Sequence, residues 1–159
     1  MARMYHACAK RKKSSGEATR LKDKFLTLGA ELIEKNEWKK LLQLTELAAQ
    51  EFDKATLNRE MKKVGVVGEI YLKFNPFAHK HVLDWLMERG VEVVPPMLTD
   101  FFTQFFVNRK TKKNYMTDND FIPNWIFDKI YFYLKKIVHL FDIAGSKLRY
   151  FIPFYAIFV

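Results

Sequence analysis

The sequence of 159 residues contains a single cysteine, Cys8. One thiol cannot form a disulfide within the chain, and it cannot supply the four thiolates of an all-cysteine metal site. We also expect no metal and no cofactor to be held within this chain. The lack of a disulfide framework is typical of a reducing compartment, and the expected location is the cytoplasm.

Long apolar runs are also missing, and acidic residues are fewer than basic ones. No stretch reaches about 18 apolar residues without charge, so we expect no membrane-spanning helix, and the first residues lack the apolar core of a signal peptide. Lysine and arginine number 27 against 18 acidic residues, which gives a net charge of +9. This excess favours a polyanionic partner without choosing among nucleic acid, an acidic membrane surface and a phosphate-bearing cofactor.

Apolar and aromatic residues, in contrast, are abundant. They make up 49% and 16% of the chain, and the 15 phenylalanines are concentrated in its second half. This composition excludes disorder throughout and is sufficient for one domain with a hydrophobic core.

Four segments can be distinguished along the chain. Residues 1–20 are predicted to be a basic flexible arm, because "KRKKSSG" combines four cations with turn residues. Residues 21–62 show helical periodicity, and Asn36 is predicted to separate two helices. Residues 109–159 form an aromatic helical segment with an apolar tail, "YFIPFYAIFV", which has the character of an element cut short.

Residues 63–108 contain the order strand, loop, helix, glycine, strand. The run from Val64 to Ile70 is typical of a buried strand, Asn75-Pro76 predicts a helix start, and Gly90 predicts a helix end before the strand "VEVV". The predicted fold class is α/β, a Rossmann-like parallel βαβ unit flanked by N- and C-terminal helices. Two parallel strands cannot bury both faces alone, so we expect an incomplete domain, a piece of a longer protein.

Three strings within this region occur in a characteristic order: "VGVVGEIY", "FNPFAHKHV" and "GVEVVPPMLTDFF". Together they resemble the 2-hydroxyglutaryl-CoA dehydratase component D-related proteins, within the wider group of CoA-substrate-specific enzyme activases and activase-related proteins. The resemblance covers residues 40–106. It implies a Rossmann-like α/β lobe and a link to enzymes that dehydrate 2-hydroxyacyl-CoA through iron–sulfur clusters, after ATP-driven electron transfer.

The chain lacks the residues that hold the reactive groups of that system. It lacks the cysteines of an iron–sulfur cluster and a glycine-rich nucleotide loop, so the cluster and ATP are implied only for the wider system. The resemblance implies a substrate or docking lobe that is inactive alone. Its expected partners are a dehydratase or activator subunit, or the missing remainder of the same protein, together with a CoA ester. Exposed strand edges and the apolar tail also predict self-association.

Three residues are candidates for ligand binding: Glu69, Lys73 and Asn75. Glu69 lies near the carboxyl end of the first predicted strand, where open parallel sheets bind ligands, but the favoured interpretation is that it caps the next helix or pairs with a lysine. The amides after Asn75, with Lys73 alongside, could take a CoA phosphate, although simple capping is the favoured interpretation. No catalytic residue is assigned.

The aromatic segment supports an alternative function. Lysines interleave with phenylalanine, tyrosine and tryptophan after residue 119, as in a non-enzymatic binding module for a membrane surface or nucleic acid. The apolar residues cover several helix faces, however, which favours packing against other parts of a full protein. The sequence alone therefore makes no strong case for membrane or nucleic acid.

Overall fold

A computed structural model describes residues 1–11, 13–14, 16–94, 108 and 123–153. The described helices are α1 (Ala2–Ala9), α2 (Glu17–Glu34), α3 (Trp38–Lys54), α4 (Ile70–Phe74), α5 (Val82–Glu88) and α6 (Asn124–Gly145), and the strands are β1 (Lys63–Gly65) and β2 (Glu92–Val94). The chain divides into one unit made of Met1–Pro96 and Ala144–Ile152, and a second made of Met97–Ile143 and Pro153–Val159.

The turn between α2 and α3 is formed at Asn36, as the sequence predicts. Asn36 has a φ of +56°, in the left-handed region that asparagine tolerates better than most residues. Its amide donates to Ile33 O (3.0 Å), and the amide of Glu37 donates to Leu32 O (2.8 Å). These two bonds form a Schellman motif, which satisfies the last carbonyls of α2 and reverses the chain direction.

The first residues differ from the predicted flexible arm, because Ala2–Ala9 forms helix α1. Met4, Ala7 and Cys8 follow the i, i+3, i+4 spacing of one helix face, and all three are buried. The four cations at residues 10–13 suggested a solvated arm and obscured this short apolar face. Arg11, at the centre of the basic run, is itself fully buried.

The main core of the first unit lies among α1, α2, α3 and the residues after α6. Phe25 and Phe52 face each other with ring centroids 6.5 Å apart, and Ala48 and Ala49 allow the helices to approach closely. The buried residues of this core cluster are Met4, Ala7, Cys8, Ala18, Leu21, Phe25, Ala48, Ala49, Phe52, Ala55, Leu148 and Tyr150. The chain segment Ala144–Ile152 is thus fixed to the N-terminal helices.

The predicted strand–helix–strand order is confirmed. β1 and β2 pair in parallel, with Val64 opposite Val93. α5 ends in a Schellman motif at Gly90, whose φ is +76°; the Gly90 amide donates to Met87 O (3.0 Å). The result is a small α/β arrangement with a two-stranded parallel sheet.

The predicted strand from Val64 to Ile70 is wrong in length and burial. β1 ends at Gly65, and all three of its residues are exposed. Gly68 has a φ of +152°, which side chains rarely adopt, and it turns the chain into α4 directly afterwards. The valine-rich sequence predicts a buried strand. Among the described residues, however, β1 has only one neighbouring strand, which the sequence pattern does not indicate.

Helix α6 begins after Pro123 and ends at Gly145, within the predicted aromatic helical segment at residues 109–159, and all but its last two residues belong to the second unit. A Cβ at Gly145 would lie 2.5 Å from Phe151 Cζ, so only glycine fits where the helix ends. In the described part of the chain, no helix is both long and apolar enough to cross a membrane. The predicted apolar tail after residue 153 and most of residues 95–122 lie outside the described residues.

Candidate functional site

The three predicted ligand-binding residues all lie on residues 63–77, which we term the β1–α4 segment. Glu69 is exposed and stands at the N-cap of α4, where its Oε1 accepts a hydrogen bond from the Leu72 amide at 2.9 Å. This is the capping role that the sequence left open. Among the described residues no cation pairs with Glu69, so its charge faces solvent.

Asn75 stands at the opposite end of α4. Its Oδ1 accepts hydrogen bonds from the amides of Phe77 (3.0 Å) and Ala78 (3.3 Å). These are the amides that were expected to face an anion, so local capping is what the structure shows. The predicted helix start at Asn75-Pro76 is wrong, because a turn follows and α5 begins at Val82.

Lys73 lies between these two caps and is half-buried. Its amide donates to the Glu69 carbonyl at 3.0 Å, which makes it part of the single turn of α4. The structure therefore brings Glu69, Lys73 and Asn75 onto one short element. The side chains of Glu69 and Asn75 already accept hydrogen bonds from backbone amides.

The same segment exposes large apolar side chains. Val67 is 93% exposed and Phe77 is 85% exposed, which is far more than an ordinary surface residue of that size. Among the described side chains of the segment, the exposed large apolar residues are Val64, Val67, Tyr71, Leu72, Phe74 and Phe77. Six such residues within one stretch of chain are typical of an interaction surface.

The nearby histidines are engaged locally. His79 Nδ1 accepts a hydrogen bond from the Val82 amide at 3.2 Å, and His81 Nδ1 lies 3.5 Å from Asp84 Oδ2. Both contacts organise the start of α5. Within the described residues no group of three histidine, cysteine or acidic side chains is placed to bind a metal ion.

A small cavity lies beside β2. It is lined by Arg3, Glu92, Val93, Val94, Tyr150 and Ile152, and its volume of about 10 Å³ has room for one water molecule. A CoA ester does not fit in a cavity of this size.

Sequence reasoning missed the most buried polar cluster of the first unit. Arg11 and Glu92 form an ion pair with 2.7 Å between Arg11 Nη2 and Glu92 Oε2, a close contact that lacks hydrogen-bond alignment. Arg11 Nε donates to Arg59 O (2.7 Å) and Nη1 donates to Ala7 O (2.9 Å). The guanidinium also lies 4.0 Å from the centre of the Tyr150 ring.

This cluster joins four separate parts of the chain. Tyr150 extends it, since its hydroxyl donates to Asn58 Oδ1 at 2.8 Å. One sequence feature points to it: Glu92 stands between valines in a strand, and a carboxylate in a buried strand requires a partner. Nothing in the run "KRKK" distinguishes Arg11 as that partner.

His6 on α1 is a second polar group in an apolar setting. Its ring stacks edge-on with Tyr5, and its Nδ1 is buried without a hydrogen-bond partner among the described residues. Burial lowers the pKa of His6 below its usual value, and the nearby Asp84 carboxylate opposes this effect in part.

No protein-family model, curated protein or solved structure matches this chain. The fold and site define a small α/β unit with an exposed apolar segment beside its parallel sheet. The resemblance to dehydratase-related proteins stays a prediction.

Proposed function

We propose that this chain is a docking lobe of a 2-hydroxyacyl-CoA dehydratase or activase-related system in the cytoplasm. In this role it carries no iron–sulfur cluster and contacts a dehydratase or activator subunit through the β1–α4 segment. The exposure of Val67 and Phe77 is the observation that carries the proposal. The resemblance of residues 40–106 supplies the identity of the partner.

The energetic support comes from the apolar side chains. Fully burying a valine or phenylalanine side chain contributes about 1.5–3 kcal/mol. Val67 and Phe77 are mostly exposed in the isolated chain, so most of this free energy becomes available only when a partner buries them. A partner that covers both side chains gains binding free energy without any change of fold.

The sheet offers further support. Among the described residues β1 pairs only with β2, so the other edge of β1 has no strand beside it. An unpaired strand edge is a template for another strand. In this proposal the βαβ unit is one part of a larger Rossmann-like sheet that the partner, or the rest of the same protein, completes.

Glu69 has a defined part in this proposal. It is exposed, and its negative charge would repel the phosphates of a CoA ester. Glu69 is therefore suited to meet a cationic side chain of the partner at the rim of the interface. In this proposal Lys73, on α4, is the candidate to bind a CoA phosphate.

The test is the affinity of the full chain for a purified 2-hydroxyacyl-CoA dehydratase and, separately, its activator, measured by biolayer interferometry. The double variant Val67→Ser with Phe77→Ser is expected to weaken binding at least tenfold, because it removes the two most exposed apolar contacts.

The matched control is Leu26→Ser with Leu47→Ser, which removes apolar side chains that are 50% and 48% exposed on α2 and α3. This control is expected to bind as the unaltered chain does. Absence of binding by the unaltered chain to both proteins contradicts the proposal, and so does an equal loss in the control.

A further inference from the structure

Helix α6 presents a broad exposed face in the second unit. At about 100° per residue, nine of its exposed side chains fall within an arc of about 160°. Seven are large and apolar, and Trp125 (68%) and Phe132 (64%) are the most exposed of them. The nine residues are Trp125, Lys129, Ile130, Phe132, Tyr133, Lys136, Ile137, Leu140 and Ile143, and we term them the α6 face.

Two lysines occupy the middle of this face. Lys129 and Lys136 are exposed and lie seven residues apart, about 10.5 Å along the helix axis. No acidic residue falls within the arc, since Asp128 and Asp142 lie outside it. Within the described residues no carboxylate pairs with either lysine.

We propose that the α6 face binds an anionic lipid surface, with the helix lying parallel to the membrane plane. The helix of 22 residues is about 33 Å long and carries too many charges to cross a bilayer. Its aromatic and aliphatic side chains enter the boundary between headgroups and acyl chains. Lys129 and Lys136 extend to the lipid phosphates.

The position of the lysines favours lipid over an apolar protein partner. A protein covering the α6 face would bury two cations at the centre of the contact, which is costly without carboxylates facing them. At a lipid interface the same side chains keep their apolar stems among the chains and their ammonium groups in the headgroup layer. Charge complementarity therefore selects an anionic surface.

The first measurement is co-sedimentation of the full chain with vesicles of phosphatidylcholine alone and of phosphatidylcholine mixed with phosphatidylserine. Binding is expected only to the anionic vesicles and is expected to weaken as salt is added. Lys129→Gln with Lys136→Gln should lower the partition coefficient about 25-fold, since each lysine near an anionic surface contributes about fivefold. Trp125→Ala with Phe132→Ala should lower it at least about tenfold.

The chain offers matched controls for both variants. Lys35→Gln with Lys39→Gln removes the same net charge from exposed positions in the first unit, and Trp38→Ala removes a tryptophan that is 60% exposed. Both controls are expected to bind anionic vesicles as the unaltered chain does. Equal losses in the controls overturn the proposal.

A spectroscopic readout locates the contact. The sequence has three tryptophans, so Trp38→Phe with Trp85→Phe leaves Trp125 as the sole tryptophan fluorophore. Its emission should shift to shorter wavelength when anionic vesicles are added. An unchanged spectrum overturns the proposal. Binding to a single-stranded oligonucleotide without binding to vesicles also overturns the proposal. The proposal is likewise overturned if the chain does not bind lipid but forms a dimer that Trp125→Ala with Phe132→Ala dissociates.

Discussion

Helix α1 and the β1–α4 segment are both short and both rich in apolar residues, yet their burial is opposite. Met4 on α1 is 2% exposed and Cys8 is fully buried, whereas Val67 is 93% exposed and Phe77 is 85% exposed. α1 contacts α2, α3 and β2, while β1 has β2 as its one strand neighbour among the described residues. The two segments differ in how many helices and strands pack against them, and this number decides which segment is buried, whereas their apolar content does not.

This difference assigns different roles to the two regions. Side chains buried among α1, α2 and α3 hold the first unit together, because their removal leaves cavities and unpaired charges. Side chains on the β1–α4 segment contribute little to folding and remain available to a partner. Substitutions in the two regions should therefore affect different measurements.

One of the two largest expected effects is at Glu92. Glu92→Ala leaves the Arg11 cation buried without its carboxylate, and should lower the free energy of unfolding by about 3–5 kcal/mol in urea denaturation. Replacing both partners, as Arg11→Met with Glu92→Leu, should cost less than Glu92→Ala alone. Glu88→Ala, at an exposed position, serves as the control. A loss below about 1 kcal/mol for Glu92→Ala would show that the pair does not stabilise the fold.

A pair of phenylalanine substitutions tests the comparison directly. Phe52→Ala opens a cavity in the core and should lower the free energy of unfolding by about 3–5 kcal/mol. Phe77→Ala should change it by less than about 0.5 kcal/mol, because that ring contacts solvent. Comparable losses in the two variants would mean that Phe77 packs against the fold in solution.

A smaller effect is expected from pH at His6. Burial holds the folded-state pKa of His6 below the value of 6.5 that applies to the unfolded chain. The unfolded state therefore binds more protons in this window, and the free energy of unfolding should fall as pH drops from 6.5 toward the folded-state pKa, then level off.

His6→Gln should flatten this part of the stability profile, which urea denaturation at a series of pH values measures. A profile that is already flat in the unaltered chain would contradict the account of His6.

Local chemistry explains which parts of the fold the sequence could predict. Asn36 and Gly90 end their helices through side-chain and backbone preferences that act within a few residues, and both were identified correctly. The order strand, helix, strand also follows from local patterns. The capping roles of Glu69 and Asn75 were foreseen as alternatives to ligand binding.

Features that depend on distant residues were not predictable. The burial of Arg11 requires Glu92 and Tyr150, which are remote in sequence. The exposure of β1 depends on how many strands lie beside it, which no local pattern records. The apolar residues of α6 cover several faces, and which of them are buried, such as Phe127, and which are exposed, such as Trp125, depends on neighbouring elements.

The most direct test of the docking role is hydrogen–deuterium exchange of the full chain, alone and with the purified dehydratase. The account predicts that the partner slows exchange in residues 63–77, while exchange in α1, already buried, is unchanged. Unchanged exchange in residues 63–77 at saturating partner, or protection confined to other regions, would contradict it.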